Sequence, residues 1–245
     1  MLGGEEWSFE VARYACMRWN TPLSESHAEL LLDRLSVDRH SVLVDLGCGW
    51  GELLLRAVSR PGGPPARAAG VDTDEALLAR ARRLASGYGV SEHVEFLRLN
   101  AADWTGPTNR VICIGASHAW GGTEKALRAL LTQTEPGGRL VFGDGYWQAE
   151  PSPRAQAIFG SLSSLQAVVG YASALGWRVL HVSSADQREW DEFESDWRRG
   201  REEWLLHNPS AKQAQALREK LDERLQEYLS IYRGVLGFCY LVLAR

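Results

Sequence analysis

VLVDLGCGWG, residues 42–51, is the stretch on which the reading of this chain turns. An apolar, β-branched run stops abruptly in three glycines, Gly47, Gly49 and Gly51, and Asp45 stands two places before the first. The helix-period run GELLLRAVSR (51–60) follows directly. Strand, glycine turn and helix in that order bring backbone close to a ligand, because glycine has no Cβ to hold it off. A tight turn without a ligand needs one glycine; three point to a nucleotide-like molecule held against the loop.

Outward from this unit the pattern repeats. Strand-like runs occur at ARAAGVD (66–72), VEFLRLN (94–100), RVICIGA (110–116), RLVFGDGYW (139–147), WRVLHVSS (177–184) and GVLGFCYLVLAR (234–245). Amphipathic helix-period runs separate them: DEALLARARRLASGYG (74–89), with Asp74 as its N-cap, GTEKALRALLTQTEPGG (122–138), closed by Pro-Gly-Gly, and SSLQAVVGYASALG (163–176). Such alternation predicts an α/β fold, a doubly wound and mostly parallel sheet with helices on both faces. Two segments fall outside it. Residues 1–40 read as a helical cover, clearest at SESHAELLLDRL (24–35), and residues 186–233 as a charged helical insertion. A single domain is expected: the cover, a core over 41–185, the insertion, and a final strand over 234–245.

The composition is that of a water-soluble globular chain, with 45% apolar and 24% charged residues among 245. A net charge of −4 gives no electrostatic footprint for nucleic acid, and RARRLASG and RRGR read as solvated helix faces. Cys16, Cys48, Cys113 and Cys239 are dispersed, without a CxxC pair, which argues against a metal site or a disulfide framework and fits a reducing cytoplasm. The acidic MLGGEEWSFE lacks the apolar segment of a signal peptide, and no run is long enough to span a bilayer.

The loop's charge narrows its ligand. GxxxxGK[ST] is absent, and GxGxG stands where a dinucleotide fold needs GxGxxG. Glu52 opens the following helix, where a pyrophosphate would need the positive end of the dipole to itself. With Asp45 adding negative charge, a ligand that carries a cationic amino group and no phosphate fits better.

VLVDLGCGWGELL (42–54) resembles the first motif of class I S-adenosylmethionine-dependent methyltransferases. GVDTDEALLARAR (70–82), LRLNAADW (97–104) and EPGGRLVFGD (135–144) resemble three further motifs of that family, in the family's order. The resemblance implies a Rossmann-like, seven-stranded fold, S-adenosyl-L-methionine as cofactor and S-adenosyl-L-homocysteine as product. It implies that Asp72 binds the ribose hydroxyls and Asp103 the adenine amino group. Asp45, Gly47, Cys48, Gly49, Gly51, Thr73, Ala102, Trp104 and Gly115 complete the expected cofactor contacts.

Methyl transfer needs an acceptor held in line and, for some acceptors, a base. IGASHAWGGTEKA (114–126) follows the fourth strand, and its His118 is the candidate general base, because histidine changes charge near neutral pH. The alternative is a histidine that only orients substrate. Tyr14, Trp19, Trp120, Asp144, Tyr146, Trp147 and Trp197 are the candidates for substrate contact, with Glu194 behind them. The competing reading of these aromatics, Trp50 among them, is helix-to-sheet packing. Core packing is likewise the expectation for the stripe Trp190, Phe193, Trp197 and Trp204.

No NPPY-type motif, which in that family holds amide or exocyclic amino acceptors of DNA and proteins, and no Pro-Cys pair after the fourth strand appears; the helical cover and insertion resemble those of small-molecule methyltransferases, which implies a small-molecule acceptor, with no nucleic acid and no membrane as partner. A non-catalytic cofactor-binding subunit and a nicotinamide-dependent oxidoreductase are the competing functions. No metal site is expected.

Overall fold

The computed structural model describes residues 14–245, and they form two compact units. The larger contains residues 24–148, 162–184 and 237–245; the smaller contains 149–161, 185–236 and the described part of the N-terminal segment.

The larger unit is a seven-stranded sheet in the order β3-β2-β1-β4-β5-β7-β6. Its strands are β1 (Val42–Leu46), β2 (Arg67–Asp72), β3 (Glu95–Arg98), β4 (Thr108–Ile114), β5 (Thr134–Trp147), β6 (Arg178–Ser184) and β7 (Leu236–Ala244). The first five run parallel, and β7 pairs antiparallel with β6. The order reverses between β1 and β4, so the loops after those two strands flank the crevice in which such sheets bind ligands.

Local signals set the helices. In α1 (Glu25–Leu35) Ser24 caps the amide of His27. In α2 (Glu52–Val58) Gly51 is the N-cap in a left-handed conformation. In α3 (Glu75–Gly87) Asp74 accepts from the amides of Ala76 and Leu77, the cap expected from sequence. After α4 (Thr123–Gln133) the chain enters β5 at Thr134, so Pro136-Gly137-Gly138 lies inside an irregular start of the strand and does not close the helix. Leu127, Leu130, Val168 and Ala172, from α4 and from α6 (Leu165–Leu175), pack on Val44, Val111, Leu140 and Phe142 of the sheet. Leu43 and Ile112 point to the other face and are also buried, which is why β1 and β4 read as continuous apolar runs.

The smaller unit is helical: α5 (Pro153–Phe159), α7 (Gln187–His207), α8 (Ala214–Glu227) and a π-helical turn at Tyr228–Tyr232. Trp204, Leu205, Leu217 and Leu221 form its core. The helical cover expected over 1–40 is only partly such. Residues 1–13 lie outside the described residues, 14–16 form a turn, and the first described helix is α1.

Candidate cofactor site

The site is built from the loop ends of β1, β2, β3 and β4, all in the larger unit. Gly47 and Cys48 donate their amides to the carbonyl of Val71 at 2.8 and 2.9 Å, which turns the loop across the end of β2. Gly47 has φ +82°, and a Cβ there would stand 2.4 Å from the Cβ of Ala116 after β4. Glycine is therefore required for the two loops to meet. Gly49 has φ +56°, and a Cβ there would meet nothing within 4 Å, so the Cα side of this residue faces open space.

Asp72 organises that space. Its Oδ2 accepts from the amide of Gly49 at 2.8 Å and its Oδ1 from the amide of Asp74 at 3.0 Å. Each oxygen keeps lone-pair capacity for a ligand hydroxyl. Asp45, only 4% exposed, lies below the loop. Burial, reinforced by the charge of Asp72, pushes its carboxyl up to about 8. A buried carboxyl beside a second carboxylate is a site that a cation relieves. Burial, with the same two acids, holds the Cys48 thiol well above its ordinary value, so Cys48 is inert and packs. Glu52 is not directed at a ligand: it accepts from Arg56 Nε at 3.0 Å and the Tyr88 hydroxyl at 2.7 Å.

Asn100 shapes the next part, and reading the sequence missed it. Its side chain caps a short turn, Ala101–Asp103, by accepting the Ala102 amide at 2.9 Å. Asn before a small polar turn was the available signal. The Ala102 amide is thus already engaged, while Asp103 is exposed. Trp104 is half-buried against the core, and its Nε1–H, buried, has no hydrogen-bond partner among the described residues. Thr73 offers its carbonyl to Arg98, at 3.3 Å from Nε. Gly115 donates to the carbonyl of Gly143 at 2.8 Å.

After β4 a turn over Ser117–Trp120 carries His118, which is exposed, and Trp120, which is half-buried. Asp144 at the end of β5 is committed locally: Thr123 donates to its Oδ2 at 2.6 Å and the Gly145 amide to its Oδ1 at 3.0 Å. Tyr146 is 5% exposed, lies against the backbone of Gly237, and donates to Ser184 at 3.0 Å, so its surface is spent on packing. Trp147 joins its amide to the Ser163 carbonyl at 3.0 Å. Trp50 is buried under the guanidinium of Arg80, a packing residue rather than a ligand contact. Tyr14, Trp19 and Trp197 belong to the smaller unit, where all three are half-buried. Among the described residues no group of three or more His, Cys, Asp or Glu is placed to hold a metal, and no helix is long and apolar enough to cross a membrane.

A glycine loop held by the acid that ends β2, an exposed acid just after the neighbouring strand β3, and a buried carboxyl that favours a cation suit an adenosyl amino acid. The chain belongs to the class I S-adenosylmethionine-dependent methyltransferases, and S-adenosylmethionine is its cofactor. The family model for a methyltransferase domain matches residues 43–138. An uncharacterized protein, YjhP, of Escherichia coli strain K12 is 30% identical over 229 residues, 90% of this chain and 91% of its own. A S-adenosylmethionine-dependent methyltransferase from Thiobacillus denitrificans, solved in complex with S-adenosyl-L-homocysteine, superposes with TM-score 0.85 at 25% identity, covering 99% of this chain and 100% of that one. A trans-aconitate 2-methyltransferase from Paracidovorax citrulli is 33% identical over 162 residues, 64% of this chain and 58% of its own.

Proposed function

We propose that this enzyme methylates a small-molecule acceptor in the cytoplasm, with Asp72 and Asp103 holding the ribose and adenine and His118 acting as general base. The cofactor, when bound, supplies an electrophilic methyl group on a sulfonium. The contact between Gly47 and Ala116 carries the proposal: it fixes the turn bearing His118 beside the loop that cradles the cofactor. His118 is exposed there, so an imidazole nitrogen can take a proton from an incoming acceptor. The trans-aconitate relative supports a small acceptor, and four free thiols support a reducing compartment.

The test is a screen of small carboxylic acids, phenols, amines and thiols for acceptor-dependent release of S-adenosyl-L-homocysteine. Turnover with one of these classes is expected. Turnover confined to protein or nucleic-acid substrates would overturn the proposal.

A further inference from the structure

The smaller unit contains a cavity of about 400 Å³, lined by α7, α8 and the π-turn after α8. That volume lies within the range of small-ligand sites, ~300–1,000 Å³. Leu221, Leu225 and Leu229 line it at a spacing of four, which puts them along one helical face. Two of them are exposed, Leu225 by 36% and Leu229 by 55%. An apolar strip left open along a cavity is a surface that a ligand's hydrocarbon part would cover.

The polar part of the lining is selective. Arg224 donates Nε and Nη2 to Glu194 at 2.8 and 2.9 Å, and Arg233 donates the same two nitrogens to Asp191 at 2.9 and 2.8 Å. Both bidentate pairs leave the Nη1 edge of the guanidinium outside the pair. Asp191 Oδ1 is more fully used. Asp191 also accepts from the Tyr228 hydroxyl at 2.5 Å and from Gln187 at 3.2 Å. A ligand carboxylate can therefore meet guanidinium edges that the ion pairs leave outside. Trp197 is held rigidly between two guanidiniums, Arg201 at 3.7 Å and Arg224 at 3.9 Å from its ring centre. Two groups that close must occupy opposite faces, so the ring offers a ligand its edge and not a stacking platform.

We propose that this cavity binds an amphipathic organic acid. Its carboxylate lies toward the Nη1 edges of Arg224 and Arg233, and its apolar body runs along Leu221, Leu225 and Leu229. A neutral alcohol of the same shape would leave charged donors poorly matched, and an amine placed at the two guanidinium edges would meet like charge.

Calorimetry on the full chain tests this, with saturating S-adenosyl-L-homocysteine present so that the cofactor site gives no heat. The probes are 4-phenylbutanoate, 4-phenylbutan-1-ol and 4-phenylbutylamine. The acid is expected to bind about tenfold more tightly than the alcohol, and the amine not at all. Arg233→Gln removes one donor edge from a side chain that is 41% exposed, and should abolish the acid's advantage while leaving alcohol binding unchanged. Leu229→Glu, on an exposed position, should repel the acid selectively and serves as the second variant should the first disturb folding. Equal binding of acid and alcohol, absence of acid binding, or an acid preference that survives both substitutions would overturn the proposal.

Discussion

The amide of Gly49 donates to Oδ2 of Asp72 at 2.8 Å, so the carboxylate that ends β2 also holds the glycine loop that follows β1. The loop is thereby preorganised before any ligand arrives. The same bond means that Asp72 cannot be removed without loosening Gly49, and the two consequences must be separated by experiment.

Asp72→Ala should weaken S-adenosyl-L-homocysteine by at least about tenfold, because hydrogen bonds to a charged acceptor contribute ~1.5–3 kcal/mol each. Asp72→Asn keeps one carbonyl oxygen that can accept from the Gly49 amide but loses the charge. Its affinity should fall between those of wild type and the alanine variant. Calorimetry measures both, with circular dichroism as the control for folding. Unchanged affinity in the alanine variant would place the ribose elsewhere.

Asp45 makes stability depend on pH. Its folded carboxyl titrates at about 8, against an ordinary 3.8. The unfolded chain gives up this proton first, so the folded form is penalised between those values by ~1.4 kcal/mol per pH unit. Stability is therefore highest below pH 4 as far as this group is concerned, and falls as pH rises through 8. Asp45→Asn, which carries no proton to lose, should raise the melting temperature at pH 8 more than at pH 5. Equal shifts at both pH values would show that the carboxyl is already ionised in the folded protein.

Cofactor binding should release a proton near neutral pH. The cation of the amino-acid moiety favours the ionised form of Asp45, which is largely protonated beforehand. The binding enthalpy of S-adenosyl-L-homocysteine should then vary with the ionisation enthalpy of the buffer at pH 7. That variation should vanish in Asp45→Asn. A buffer-independent enthalpy in the wild-type protein would remove Asp45 from the cation's surroundings.

How far the sequence revealed this depended on the range of each signal. The strand–glycine–helix unit, the Asp74 cap and the β-strands were legible because their causes are local. So was α5, although it was overlooked: Ser152 caps it, Pro153 opens it and Gly160 follows it. Tertiary causes were not legible. Nothing near Tyr146 announces that Gly237, far along the chain, makes room for its ring. Arg201 lies one helical turn from Trp197 and could be anticipated, whereas Arg224 reaches the same ring from another helix. Trp50 follows the loop yet turns inward under Arg80, which only the packing of α3 decides.

That last difference reassigns the fluorescence reporter. Cofactor binding should change tryptophan emission through Trp104, which stands beside Asp103, and not through the buried Trp50. Trp104→Phe should remove most of the change and Trp50→Phe should leave it intact. The opposite pattern would put the adenine on the other side of the loop.

His118 carries the sharpest expectation. It sits on the turn that Ala116 presses against Gly47, and its ring is exposed. If it takes the acceptor's proton, His118→Ala should lower turnover by ~10²–10⁴ while cofactor affinity stays nearly unchanged. His118→Asn separates proton transfer from orientation, because asparagine can hydrogen-bond a substrate but cannot accept its proton near neutral pH. A base predicts that the asparagine variant is as slow as the alanine one. Near-normal turnover in the asparagine variant would reduce His118 to a positioning residue, and catalysis would then rest on alignment of an acceptor that already carries a free lone pair.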